Sequence, residues 1–252
     1  MPVLTVLITR PLQASQSLAS QLDIPGVQSV VMPFYSFSGH APDIDVATTI
    51  ADAPGRKLII FTSPRAVEFG LERIPLVLRP EVEFATVGDA TRRELELAGL
   101  SVTWQPENGY TSEDLLAIEG LQDRPGTAIV MCAPDGRGVL KPGLESLGWT
   151  ASNAMVYQRI WTQPSAKQVS EIAGADHLLS VWTSTSALIG AQENLPAEAW
   201  SKILAAPALA ISYRIKHHLQ KQGASDVCIT GGPGNADLLQ SIRTFVEHQH
   251  RQ

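Results

Sequence analysis

The stretch LIIFTSPRAVEFGL (Leu58–Leu71) reads as a strand, a turn and a helix in immediate succession. Leu58–Phe61 is a short apolar run of the kind that sits inside a parallel sheet. Ser63 before Pro64 is a good helix N-cap, with proline at the first helical position, where its missing N–H is harmless. A strand running straight into a helix is one βα unit, and a series of such units builds a parallel sheet.

The series extends both ways from this stretch. Val3–Thr9 is a continuous strand run, Pro11 opens a helix with Leu12, Ser15, Leu18 and Leu22 at helical spacing, and Val27–Pro33 is the next strand. Downstream come a strand at Phe84–Val87, a helix over Asp89–Ala98, a strand at Ser101–Trp104 and a helix from Thr111. Thr127–Met131, a helix over Arg137–Leu147 and a strand over Ala154–Trp161 follow. The last third adds His177–Trp182, a helix over Ala187–Leu195, a strand at Pro207–Ser212, a helix over Ile215–Gln222, a strand at Val227–Thr230 and a helix from Asn235.

Parts of this series repeat. FTSPRAVEFG (Phe61–Gly70) parallels WTSTSALIGA (Trp182–Ala191), and FATVGDATRRELELAG (Phe84–Gly99) parallels LAISYRIKHHLQKQG (Leu209–Gly223). NGYTSEDLLAI (Asn108–Ile118) parallels GGPGNADLLQSI (Gly231–Ile242). The reading is two similar α/β lobes; the competing one is two unrelated βα series that look alike because all such series do.

Ligands of open parallel sheets bind beyond the carboxyl ends of the strands. The residues just after each strand are therefore the candidates: Arg10; Thr62, Ser63 and Arg65; Gly88, Asp89 and Thr91; Asp135 and Arg137; Thr183 and Ser184; Ser212 and Arg214. Hydroxyls, glycines and arginines suit carboxylates or phosphates. Two lobes presenting such loops would make a cleft. The bland alternatives stay open. Ser63 and Thr183-Ser184 can serve as helix caps, the arginines (Arg159 among them) can be solvated, and Tyr157 in the run AMVYQRIW can be a packed strand tyrosine.

Composition narrows the class. The 252 residues are 44% hydrophobic and 17% charged, enough apolar material for real cores. The net charge of −6 disfavours a general nucleic-acid binder, which needs a basic surface. Cys132 and Cys228 form no disulfide framework and no zinc spacing. The N-terminal apolar run lacks a basic n-region and a cleavage site, and no run is long enough to span a membrane, so a cytoplasmic protein is expected. GxSxG and GxxxxGK[ST] motifs are absent; GGPGN (Gly231–Asn235) reads as a turn with Asn235 as N-cap, or weakly as an anion cradle. Adjacent His217 and His218 point about 100° apart on a helix and suit shared metal ligation poorly. The residues thus describe a bilobal α/β protein with an anion-friendly cleft that calls for no cofactor and no metal. They do not name a reaction.

The order of these pieces resembles the uroporphyrinogen-III synthase family. VLITRP (Val6–Pro11), LIIFTSPRAVEFGL, FATVGDATRREL with AGLSV, SEDLL (Ser112–Leu116), DGRGVL (Asp135–Leu140), LGWTASNAMVYQR (Leu147–Arg159), VWTSTSAL and ADLLQSI all follow in sequence over nearly the whole chain. Two places depart from the family pattern. ISYRIKHHL (Ile211–Leu219) puts Ser212-Tyr213 and Ile215 where a glycine-containing pair and a threonine are usual, which removes a hydroxyl contact at 215. MCAPD (Met131–Asp135) replaces the usual LRG.

The resemblance implies two Rossmann-like parallel-sheet lobes joined by a two-stranded antiparallel ladder, with a cleft between them. It divides the chain discontinuously, residues 1–36 with 162–252 against 37–161, with crossings near Phe34–Ser38 and Tyr157–Gln163. It implies a lyase that cyclises hydroxymethylbilane, a linear tetrapyrrole with eight carboxylate side chains, with loss of water and inversion of the last ring. Catalysis would rest on orientation and electrostatic environment. Tyr157 is then the candidate proton donor to the leaving hydroxyl, since a phenol keeps its proton at neutral pH. Arg10, Thr62, Ser63, Arg65, Gly88, Thr91, Arg137, Thr183, Ser184 and Ser212 would bind the acid arms. A monomer, in transient contact at most with the enzyme that makes the bilane, completes the expectation. The alternatives are a non-enzymatic bilobal sensor of an anionic small molecule, and an α/β enzyme acting on a phosphorylated nucleotide.

Overall fold

A computed structural model describes residues 3–75, 80–134, 136 and 138–249. The chain opens with β1 (Leu4–Ile8), α1 (Leu12–Ser20) and β2 (Val27–Val31), then β3 (Tyr35–Gly39) and α2 (Val46–Ala51). Next come β4 (Lys57–Phe61), α3 (Pro64–Gly70) with a 3₁₀ turn at Leu71–Arg73, β5 (Glu83–Thr86), α4 (Asp89–Leu97), α5 (Ser112–Leu116) and α6 (Glu119–Gln122). β6 (Thr127–Cys132), α7 (Leu140–Ser146), β7 (Thr150–Met155) and β8 (Tyr157–Trp161) follow. The last part holds α8 (Ala166–Ala173), β9 (His177–Trp182), α9 (Thr185–Asn194), α10 (Ala197–Ala205), β10 (Ala208–Ala210), α11 (Tyr213–Lys221), β11 (Val227–Ile229) and α12 (Asn235–Gln249).

Two units divide the chain: Met1–Ser36 with Ile160–Gln252, and Phe37–Arg159. The first contains a parallel sheet in the order β11-β10-β9-β1-β2. The second contains a parallel sheet in the order β5-β4-β6-β7, with Trp104 making a single parallel bridge to Ala85 beyond β5. β3 and β8 pair only with each other. Thr162 donates to the Phe34 carbonyl and His40 to that of Val156, so this ladder is antiparallel.

Strand alternation builds the cores. In β4, Ile59 and Phe61 face one cluster with Phe84, Ile129 and Met131, while Leu58 and Ile60 face another with Ala85, Ala128 and Val130. Parallel sheets are covered on both faces, so such strands read as unbroken apolar runs. Truncating the fully buried Ile60 to alanine would cost about 2–5 kcal/mol. In the first unit Val6, Ile8, Leu179, Val181 and Leu209 pack against Leu238, Leu239 and Ile242 of α12.

The two sheets have one plan. β9, β10 and β11 stand to β1 and β2 as β4, β5 and the Trp104 bridge stand to β6 and β7. The chain order differs by a circular shift: the pair after the repeat in the second unit comes before it in the first. The paralleled DLL segments occupy the start of α5 and of α12, and in both the Asp (Asp114, Asp237) lies against the preceding glycine loop.

The structure corrects the sequence reading in several places. Ser101–Trp104 is a bridge and not a strand, because β11 has no full counterpart there. The helix expected from Arg137 starts at Leu140. The expected strand over Ala154–Trp161 is two strands meeting at Val156. Its N–H bonds Cys132 on β6 and its carbonyl accepts from His40 beside the ladder, so one residue serves two sheets. Asn235 does not act as the expected N-cap: it is the first residue of α12, and its amide is turned to Arg10 and Ser17. No helix among the described residues is long and apolar enough to cross a membrane.

Candidate functional site

Each parallel sheet has one switch point, where the chain leaves neighbouring strands in opposite directions. In the second unit this lies between β4 and β6, and in the first between β9 and β1. Side chains tie both points shut. Thr62 Oγ1 donates to the Met131 carbonyl at 3.0 Å, and Thr9 Oγ1 to the Val181 carbonyl at 2.7 Å. Such crevices are where open α/β sheets hold ligands.

In the second unit Ser63, at the carboxyl end of β4, caps α3: its Oγ accepts the Ala66 N–H at 3.1 Å. The same oxygen lies 2.9 Å from the Tyr157 hydroxyl, at the first residue of β8. Tyr157 is wedged by aromatics, stacked on Phe69 (6.2 Å between centroids) and edge-on to Phe37 (5.7 Å). Arg65 sits over the Phe37 ring at 5.3 Å and pairs with Glu68. Gly88 is the N-cap residue of α4 without a side-chain cap, and Thr91 is buried in the first turn of α4. Of the expected residues, Ser63 thus meets the Tyr157 phenol directly, Arg65 reaches it only through the shared Phe37 ring, and Thr62 is turned instead to the Met131 carbonyl.

The first unit repeats the motif. Ser184, at the carboxyl end of β9, caps α9 by accepting the Ala187 N–H at 3.1 Å, and its Oγ is 3.1 Å from the hydroxyl of Tyr35, the first residue of β3. Arg10, after β1, donates to Asn235 Oδ1 at 2.6 Å, and Asn235 in turn donates to Ser17. Burial pulls the Arg10 guanidinium below its ordinary value, and Tyr35 nearby partly opposes this. Thr183 adjoins Ser184. Ser212 caps α11 through the Ile215 N–H at 3.4 Å. Arg137 and Asp135 lie outside the described residues.

These caps and strand ends are shared by many α/β proteins and do not by themselves name a reaction. The family pattern described as uroporphyrinogen-III synthase HemD matches residues 16–240, nearly the whole chain. The chain belongs to the uroporphyrinogen-III synthase family. Solved structures agree at the level of fold. A mutant uroporphyrinogen III synthase from the extremely thermophilic bacterium Thermus thermophilus aligns with a TM-score of 0.62 at 16% identity, over 97% of this chain and 100% of that one. The uroporphyrinogen-III synthetase of Helicobacter pylori 26695 aligns with a TM-score of 0.60 at 15% identity, over 97% and 100%. Enzymes of this family are lyases of haem biosynthesis acting on a tetrapyrrole.

For a uroporphyrinogen-III synthase the chemistry of the site is of a consistent kind. It offers phenol and serine hydroxyls, guanidinium groups and helix starts, all hydrogen-bond donors suited to an acidic substrate. The sequence reading missed Tyr35 and the aromatic pair Phe37 and Phe69, and it read Asn235 only as a helix cap, not as the partner of Arg10. The internal repeat flags Ser184, which stands where Ser63 stands, but the ladder strands lie outside the repeated segments, so its partner phenol Tyr35 was invisible.

The GGPGN loop also gains a definite character. An added Cβ at Gly232 would fall 2.6 Å from Asp237 Oδ2, so the loop lies against a carboxylate of its own helix. A bound phosphate would have to share that space with a like charge.

Proposed function

We propose that this chain converts hydroxymethylbilane to uroporphyrinogen III, with Tyr157 delivering the proton that leaves with the hydroxyl as water. Family membership supports the reaction. The Ser63–Tyr157 hydrogen bond at the switch point of the second unit carries the assignment of the donor.

Two hydroxyl groups carry two protons, and one is used between them. The Ala66 N–H already occupies a lone pair of Ser63. With the Ser63 hydroxyl donating to Tyr157, the proton left over is the phenol's own, and no acceptor among the described residues takes it. Ser63 is fixed by its helix and Tyr157 by two rings, so the donor is held in place before substrate arrives. Fixed donors cost no reorganisation during reaction.

Loss of water from the hydroxymethyl arm leaves a reactive cation-like terminus. The terminal ring attacks it through its substituted carbon, and the resulting spiro intermediate rearranges to the inverted ring. The ring that closes loses a proton, so the net change is one water released and no external oxidant is needed. The bilane also closes unaided without inversion, so the main task is geometric. Arg10, Arg65 and the strand-end hydroxyls of Thr62, Thr183, Ser184 and Ser212 would hold acid arms, together with the Gly88 turn, Thr91 and Arg137.

In this proposal the two units act as the two functional lobes. The enzyme works as a cytoplasmic monomer and receives the unstable bilane from the enzyme that makes it. The sensor reading finds no support in a family of lyases. The deciding experiment mixes purified protein with freshly made hydroxymethylbilane, oxidises the product and separates isomers I and III by chromatography. Isomer III in excess of the spontaneous mixture is expected; an unchanged mixture removes the proposal.

A further inference from the structure

The Tyr35–Ser184 pair is built like Ser63–Tyr157 but belongs to the other unit, and Tyr35 has no part in the steps above. Both serines stand at equivalent places in sheets of one plan. Both cap the following helix through the N–H three residues on, and both meet a tyrosine that begins a ladder strand. The surroundings differ. Tyr157 is stacked on Phe69, whereas the corresponding position of α9 is Gly190, where a Cβ would already meet Phe34 and Trp161. Tyr35 is buried, with its ring edge-on to Trp161 at 6.5 Å. It is shut in more tightly than Tyr157, so it is suited to orienting a neighbour.

The strand paired with that of Ser184 is followed by a cation. Arg10 follows β1, the strand paired with β9, and is half-buried. No carboxylate among the described residues pairs with it; its polar partner is the neutral Asn235 amide. A partly desolvated guanidinium with a neutral partner favours an external carboxylate, with which it can form a charge-assisted, two-pronged contact.

We propose that Tyr35 is a positioning residue: it fixes the Ser184 hydroxyl so that Ser184 and Arg10, at the ends of neighbouring strands, hold one carboxylate arm of the tetrapyrrole. The inference rests on the reaction proposed above and deepens it by assigning the first unit an acid-arm subsite of its own. Tyr35 acts through Ser184 and leaves the leaving-group chemistry to Tyr157.

The test compares wild type, Tyr35→Phe, Ser184→Gly and the double variant in steady-state assays with hydroxymethylbilane, together with thermal unfolding. Phenylalanine keeps the ring contact with Trp161. Glycine is itself a favourable N-cap residue and keeps the helix start. Tyr35→Phe is expected to raise KM about three- to tenfold, the worth of one hydrogen bond, with kcat and the isomer ratio retained. Ser184→Gly should raise KM at least as much, and the double variant no further than Ser184→Gly alone. An unaltered KM in Tyr35→Phe, or single effects that multiply in the double variant, would overturn the inference. A lower Tm with wild-type KM would do the same, since it marks a purely structural bond. Failure of the wild type to make isomer III is a different result, and it strikes the reaction itself.

Discussion

Ser63 Oγ stands 2.9 Å from the Tyr157 hydroxyl while accepting the Ala66 N–H, so a helix cap and a candidate proton donor share one oxygen. Capping and ligand binding are often weighed as rival explanations for such a serine. Here they cooperate. The cap fixes the oxygen, and the fixed oxygen fixes the phenol.

Tyr157→Phe isolates the donor. The ring keeps its stack on Phe69 and its edge contact with Phe37, so the fold is expected to survive with a Tm within a few degrees of wild type. Loss of a positioned proton donor typically costs on the order of 100-fold or more in rate. Turnover to isomer III should fall by about that factor. Near-normal production of isomer III would remove Tyr157 from the mechanism.

Arg10 and Arg65 should respond unequally. Arg65 already has Glu68 as a counter-charge and Phe37 beneath it, whereas Arg10 has a neutral amide. Arg10→Gln is expected to raise KM roughly tenfold, and Arg65→Gln only about two- to threefold, because a pre-paired charge must give up its partner to bind another. Equal effects in the two variants would contradict this ranking.

Acid sensitivity should track Glu83. Arg56 grips it in a two-pronged pair, Nε to Oε1 at 2.7 Å and Nη2 to Oε2 at 2.8 Å. The Arg56 guanidinium also lies over the Trp104 and Trp149 rings at 5.3 and 5.2 Å and donates to the Gly120 and Asp123 carbonyls. The hydrogen bond from Arg56 holds the Glu83 carboxyl below its ordinary value, with the Trp104 N–H assisting. A depressed carboxyl binds its proton less readily folded than unfolded. Its contribution is therefore complete above the unfolded value of about 4.3 and drains away as pH falls through the folded one. Arg56→Met should cost about 1–3 kcal/mol at neutral pH, discounted for partial exposure, and should flatten the loss of stability below about pH 4. Urea unfolding at several pH values measures both; parallel pH curves for variant and wild type would refute the assignment.

Gly190→Ala tests packing at the other phenol. The new methyl would lie 2.8 Å from Phe34 Cβ, closer than real Cβ contacts come, and 3.0 Å from the Phe34 carbonyl, which is tight. The helix must shift, at a cost of about 1–3 kcal/mol. A Tm equal to or above wild type would show that α9 yields without strain.

The parallel sheets were legible in the sequence because buried strands followed at once by capped helices leave little ambiguity. β1 with Pro11 and β4 with Ser63-Pro64 are examples. The ladder was not legible from pattern. β8 runs from half-buried to exposed along its length, so it lacks an apolar period, and no turn residue marks the break at Val156. α8 and α10 passed unread as well. α8 has few apolar residues, and its signal is the Ser165–Gln168 capping box. At the site, strand-end residues could be named from topology alone. Their partners could not, since Arg10 and Asn235 are 225 positions apart and Tyr35 and Ser184 are 149 apart.

The circular shift of the first sheet also sets a schedule for synthesis. The Phe37–Arg159 unit is continuous, so its strands can assemble as soon as they leave the ribosome. β1 sits in the middle of its sheet, and its second neighbour, β9, is translated only after that whole unit. A nascent chain therefore carries an apolar, half-paired strand through most of its production. Such an edge is open to mispairing. Chains truncated before His177 should thus be the aggregating species, while the middle segment stays folded.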